Sequence, residues 1–210
     1  SFVCYIPQTI GLSIGKILNT PIFGQWILGK IFNYAFFVLL IYFSIKYIPF
    51  KKELVLFLGL LPEVIQEAVS LSPDAMTIAS AIALTSFVLY FRYGTKEIMK
   101  KWQFALLALL AVMLSLSKIV YLPLCLLLFL IPKERFESPK KKYILIVTLG
   151  IVTALLNLIW LSISSQYLAA FLVRGDSKAQ LAYILENPIR YCLILFRTID
   201  TYLFTYLQTM

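Results

Sequence analysis

The chain has 210 residues, of which 61% are hydrophobic and 14% charged, with 19 Lys and Arg against 10 Asp and Glu and a mean hydropathy of +0.88. A soluble domain is closer to half apolar and about one quarter charged, and a soluble core of this length would leave large apolar patches in water. A soluble globular domain is therefore excluded, and the lack of any histidine excludes imidazole-based triads, histidine metal sites and histidine proton relays.

A bilayer suits this composition, and it admits only helices and closed barrels because unpaired backbone groups are costly there. The apolar runs are long, rich in Leu, Ile and Phe, and do not alternate, so the reading is all-α, a polytopic transmembrane helix bundle. The net charge of +9 is read as loop charge that sets topology, not as a nucleic-acid footprint. Cys4, Cys125 and Cys192 are far apart and suggest neither a metal spacing nor a disulfide framework. The chain starts at Ser1 without a basic leader and ends at Met210 while still apolar, which reads as a fragment of a longer protein.

In chain order, residues 1–24 form an outer segment in which Tyr5–Leu18 is a short helix on the membrane surface. The first spanning helix covers about 25–47, with Trp26 and Tyr47 as interface anchors, and leads to a basic loop at Lys46, Lys51 and Lys52. A second helix over 54–69 returns outward, and a third over 75–91 comes back in. The tight outer turn Ser70-Leu71-Ser72-Pro73-Asp74 joins them, with Ser72 as a candidate cap. A basic stretch from Arg92 to Lys101 follows.

The run 102–131 is flanked on both sides by basic loops, the second containing Lys133, Arg135 and Lys140 to Lys142. Both flanks then belong to one side, and thirty residues give arms of only about 22 Å against a core of roughly 30 Å. The expectation is a short re-entrant or short-armed hairpin with Ser115-Leu116-Ser117-Lys118 near its apex. The alternative is one long tilted helix. A further helix over 143–162, an outer segment over 163–188 with a surface helix at Ser177–Leu185, and a last helix over 189–207 complete the single membrane domain.

Polar groups in or beside a membrane are costly and so are candidates for function. The first set is Glu63, Gln66, Glu67 and Asp74 around the outer turn, able to hold a divalent cation, sugar or amine, or simply to solvate a helix end. The second is Lys118, alone among apolar residues, which either snorkels or meets a phosphate. The third is Arg174, Lys178, Arg190 and Arg197, read as contacts for a phosphate-bearing partner or for membrane lipid headgroups. No phosphate-binding glycine loop, Walker motif or nucleophile elbow is present.

Several local patterns occur in order: Tyr5-Ile6-Pro7-Gln8 with Gly11 and Gly15-Lys16, Ile48-Pro49-Phe50, Leu61-Pro62, Ser70 to Ala75, Ser117-Lys118-Ile119 with Pro123, Ile131-Pro132-Lys133, and Gln180 to Asn187-Pro188. Their order resembles a bacterial family of predicted membrane proteins, domain of unknown function 2142, over nearly the whole chain. That family is grouped with the glycosyltransferase-C superfamily, multi-spanning enzymes that use polyprenyl-phosphate sugars.

The resemblance implies a glycosyltransferase-C-like fold in a bacterial cytoplasmic membrane and a role in cell-envelope polysaccharide or glycoconjugate assembly. It matches Asp74 to an acidic site residue and Lys118 to a lysine in a membrane hairpin. The main catalytic carboxylate would lie upstream of Ser1, leaving the catalytic base unassigned and the fragment inactive by itself.

The expected activity is transfer of a sugar from a polyprenyl phosphate to an envelope glycan or lipid, with Lys118 and then Arg174 or Arg190 holding phosphate. Asp74 would organise the site, with Glu67 and Glu63 as weaker substrate contacts. The alternatives are a transporter or flippase for lipid-linked substrates and a non-catalytic membrane subunit.

Overall fold

The computed structural model describes residues 2–168 and 177–209, and every regular element among them is helical. A helical membrane bundle is the architecture. Three helices are long and apolar enough to cross a membrane by length and composition: Ile22–Tyr47, Asp74–Gly94 and Lys140–Ser164. The chain divides into two compact units, Ser1–Trp160 and Leu161–Met210.

The first unit opens with a 3-10 turn, Phe2–Tyr5, and helix α1, Ile6–Ile17. Helix α2, Ile22–Tyr47, follows after a short link and runs back along α1. The approach is close because small residues face each other. A Cβ at Gly11 would lie 2.4 Å from the Leu28 carbonyl oxygen, and one at Gly15 would lie 2.9 Å from the Gln25 Cα. The expected surface helix thus exists as a helix, and one face of it is fastened to α2.

The expected single helix over 54–69 is instead two short ones, α3 (Lys52–Gly59) and α4 (Pro62–Ala68). Leu60 closes α3 through its N–H, and Leu61 is extended (ψ 134°) before Pro62. Proline disfavours helical geometry in the residue before it and fits the first turn of the next helix. Pieces of eight and seven residues reach about 12 and 10 Å, far short of a bilayer core.

Helix α5, Asp74–Leu89, is the central element of this unit and ends in a π turn, Tyr90–Gly94. Ala75, Ala79, Ala83, Leu84, Phe87 and Val88 are all buried, and small side chains on α5 let α2 and α6 approach it. Helix α6, Lys101–Ser117, then runs along α5, and the chain reverses at Lys118. The return arm, Ile119–Leu130, is a 3-10 helix packed on α6 and α5, and the Cys125 thiol lies 3.7 Å from the Ala111 carbonyl.

Both flanks of this hairpin meet at one end of the unit. The Met99 N–H donates to the Arg135 carbonyl at 2.8 Å, and Arg92 Nη1 donates to the Leu130 carbonyl at 2.9 Å. The run 102–131 is therefore a short-armed hairpin and not one long helix.

Helix α7, Pro139–Leu168, is longer than the expected 143–162. Its buried stripe Leu145, Leu149, Thr153 and Asn157 repeats every four residues, while Ile144, Val147, Ile151 and Leu155 are exposed. In the second unit, α8 (Ser177–Glu186) and α9 (Pro188–Thr209) pack together around Asn187.

Two outcomes follow. Gly11→Ala lowers the thermal midpoint in detergent, with overpacking costing about 1–3 kcal/mol; Gly150→Ala, where an added Cβ meets nothing within 4 Å, leaves the midpoint unchanged or raises it. In a background free of native cysteines, single cysteines at Lys96 and Lys141 label from the same side of the membrane and one at Val69 from the other. Labelling of positions 96 and 141 from opposite sides would contradict the hairpin.

Candidate functional site

The turn between α4 and α5 is held by its own side chains. Ser70 Oγ donates to the Glu67 carbonyl at 2.8 Å and accepts from the Ser72 N–H at 3.0 Å, and Ser72 Oγ accepts from the Asp74 N–H at 3.1 Å. Ser72 thus bonds the first N–H of α5 two residues ahead, while the N-cap position itself is Pro73, which has no side-chain cap bond. Thr77 Oγ1 adds a bond to the Pro73 carbonyl at 3.2 Å.

Two amides from other helices fasten this turn. Asn33, buried in α2, donates through Nδ2 to the Ala68 carbonyl at 3.2 Å and the Ser70 carbonyl at 2.9 Å. Gln8 of α1, also buried, donates through Nε2 to the Ser72 carbonyl at 3.1 Å. These bonds supply partners to carbonyls that a helix break leaves open.

Across from the turn, α6 ends at Lys118, which is extended at φ −146° and ψ 133°. Ser115 and Ser117 bond back to the carbonyls of Val112 and Leu114, and the Tyr121 N–H returns to the Lys118 carbonyl at 2.9 Å to start the 3-10 arm. Lys118 Nζ then stands 2.7 Å from an Asp74 carboxylate oxygen, with the side chains 51% and 40% exposed.

The pairing joins the C-terminal end of α6 to the N-terminal end of α5. A cation at the first and an anion at the second each complement a helix dipole. An ion pair this open contributes at most about 1 kcal/mol to stability. Its significance is chemical: an exposed ammonium, already positioned by a carboxylate, can transfer its hydrogen bonds to an incoming phosphate.

The buried Cys4 in the N-terminal turn lies beneath, with Sγ 4.0 Å from Thr77 Oγ1. Burial pushes its thiol up from the ordinary value, so it stays protonated and unreactive at neutral pH.

Of the candidate residues, Asp74 and Lys118 are brought together. Glu63 is exposed and Glu67 half-buried on α4, and neither forms an ion pair among the described residues. Among the described residues, no three of the Cys, Asp and Glu side chains come close enough to hold a metal ion. Arg190 is exposed in the first turn of α9, within the second unit, and Arg174 lies outside the described residues.

Asn33, Gln8 and Cys4 were not expected to take part. Asn33 had a readable signal, since an amide in a 26-residue apolar helix demands a partner. The partners of Gln8 and Cys4 are 64 and 73 residues away, and local sequence does not announce them.

A family model described as a predicted membrane protein, DUF2142, matches residues 1–209. No curated protein and no solved structure matches the chain.

Asn33→Ala strands two carbonyls of the turn and costs about 1–3 kcal/mol. The expected readouts are a lower thermal midpoint and faster labelling of a cysteine placed at Val69. An unchanged midpoint would show that the amide does not hold the turn.

Proposed function

Because the chain belongs to the DUF2142 family of predicted membrane proteins, we propose that it is glycosyltransferase-like. It moves a sugar from a polyprenyl-phosphate donor to a cell-envelope glycan or lipid at the outer face of a bacterial cytoplasmic membrane. The observation that supports this reading is the exposed Lys118–Asp74 pair at the apex of a short hairpin. A lysine in an apolar stretch is costly unless a partner or watery site repays it, and the pair itself is too open to matter much as a brace.

In this reading the acceptor hydroxyl attacks the anomeric carbon of the donor sugar. The new bond forms from acceptor oxygen to carbon, the bond from carbon to phosphate oxygen breaks, and the electron pair leaves with the phosphate. A carboxylate takes the acceptor proton. Lys118 holds the departing phosphate as its charge grows, which is where a fixed cation lowers the barrier most. Asp74 positions that ammonium before the donor arrives and releases part of its hydrogen bonding to phosphate afterwards.

The test uses the full-length protein in a deletion strain. Lys118→Ala lowers formation of the envelope sugar product about 100-fold or more at normal protein level, and Asp74→Ala lowers it less. The exchange Lys118→Asp with Asp74→Lys restores an ion pair but moves the cation, and it stays inactive. Full activity of the exchanged protein would reduce the pair to a brace and overturn the phosphate role. A purified wild-type protein that forms no glycosidic bond, in cells whose envelope still depends on Lys118, would instead favour the alternative of a transporter or flippase for lipid-linked substrates.

A further inference from the structure

The opposite end of the first unit, far along the chain from the Asp74 turn, contains a second arrangement of charge. Between the start of α6 and the segment before α7 lies a cavity of about 210 Å³. Its floor is apolar: Met99 and Phe136 are buried, and the Phe104 and Phe136 rings meet edge to face with centroids 6.4 Å apart. Its rim is formed by Lys101, Arg135, Lys141 and Glu137.

The rim charges are unequally committed. Arg135 gives Nε to the Phe91 carbonyl at 3.1 Å, and its two Nη groups have no partner among the described residues. Lys141 pairs with Glu137, and Lys101 forms no ion pair among the described residues. The Lys141 ammonium, helped by Lys101, holds the Glu137 carboxyl below the usual carboxylate range, so it is charged at neutral pH. Three cations against one anion leave a net attraction for a negative ligand.

The surroundings indicate which negative ligand. Trp102 and Tyr143, 52% and 47% exposed, stand beside the rim residues Lys101 and Lys141, and Lys133 lies 5.6 Å from the Tyr143 ring centre. Exposed Trp and Tyr next to lysines, at the foot of apolar helices, mark headgroup depth in a bilayer. Lys142 is not available for a ligand, since its ammonium is buried against the carbonyls of Phe129 and Ile131 at 2.9 and 2.6 Å.

We infer that this cavity is a binding site for the headgroup of an anionic phospholipid. The phosphate sits among Lys101, Arg135 and Lys141, and the glyceride portion lies on Phe104, Phe136 and Met99. Glu137 acts as a built-in competitor: it occupies Lys141 until the lipid phosphate takes its place. Specificity for an anionic over a zwitterionic headgroup follows from the net positive rim, since a choline cation would meet Lys101 and Arg135.

The experiment titrates the detergent-solubilised full chain with dioctanoyl phosphatidylglycerol or dioctanoyl phosphatidylcholine and counts bound lipid by native mass spectrometry. Phosphatidylglycerol is expected to bind more tightly, and Lys101→Gln or Lys141→Gln to weaken it about five-fold each. Glu137→Gln is expected to strengthen it, the opposite sign to that of a general loss of structure.

Equal binding of the two lipids, unchanged affinity in both lysine variants, or weaker binding in Glu137→Gln would overturn the assignment. So would displacement of the lipid by an equal concentration of glycerol 1-phosphate, which would make the cavity a site for a soluble phosphate. If a lysine variant fails to fold, the wild-type salt series decides. The preference for phosphatidylglycerol fades as screening rises, and a preference unaffected by salt counts against the inference.

Discussion

At several of the helix breaks a backbone carbonyl left without a helical partner is met by a polar side chain arriving from elsewhere in the chain. Asn33 reaches from α2 to the carbonyls of Ala68 and Ser70, and Gln8 reaches from α1 to that of Ser72. At the other end, Arg92 bonds to the Leu130 carbonyl, Lys142 to those of Phe129 and Ile131, and Arg135 to that of Phe91. An unpaired buried backbone carbonyl costs about 1–3 kcal/mol, comparable to what the burial of one apolar side chain returns.

This constraint explains why the two ends differ. Long cations serve the end where the 3-10 arm and the π turn finish: Arg92 reaches its carbonyl with its head exposed, whereas the Lys142 ammonium is buried against two carbonyls. Short amides serve the turn before α5, where the helices are closer and a Cβ added at Gly29 would lie 3.1 Å from the Leu71 side chain. Asp74 and Lys118 are released from this bracing work. Each sits at a helix end whose dipole favours its charge, and each remains open.

The class and the hairpin were legible because they rest on quantities the sequence states directly. Apolar length gave the helices, and basic residues on both flanks of 102–131 gave the reversal that Met99 and Arg135 make. The break inside 54–69 is also written, in Leu61-Pro62, but the apolar run continues through it, and hydrophobicity alone predicts one helix there. The pairing of Lys118 with Asp74 was anticipated as shared function, yet their contact is a tertiary fact across 44 residues that no local pattern contains. The roles of the Gln8 and Asn33 amides are tertiary for the same reason: they depend on which carbonyls the fold exposes.

The return arm of the hairpin has twelve residues against seventeen in α6. At about 2.0 Å per residue a 3-10 helix makes that arm about 24 Å long, close to the roughly 25 Å of α6 at about 1.5 Å per residue. Wound as an α-helix, the same twelve residues would stop about 6 Å short. The tighter winding is thus a ruler: it lets an arm five residues shorter than its partner still return from the apex at Lys118 to the end where Arg92 meets the Leu130 carbonyl. The closure of the hairpin is set by helix type as well as by residue count, and removing a residue within 119–130 would shorten the return arm by about 2 Å.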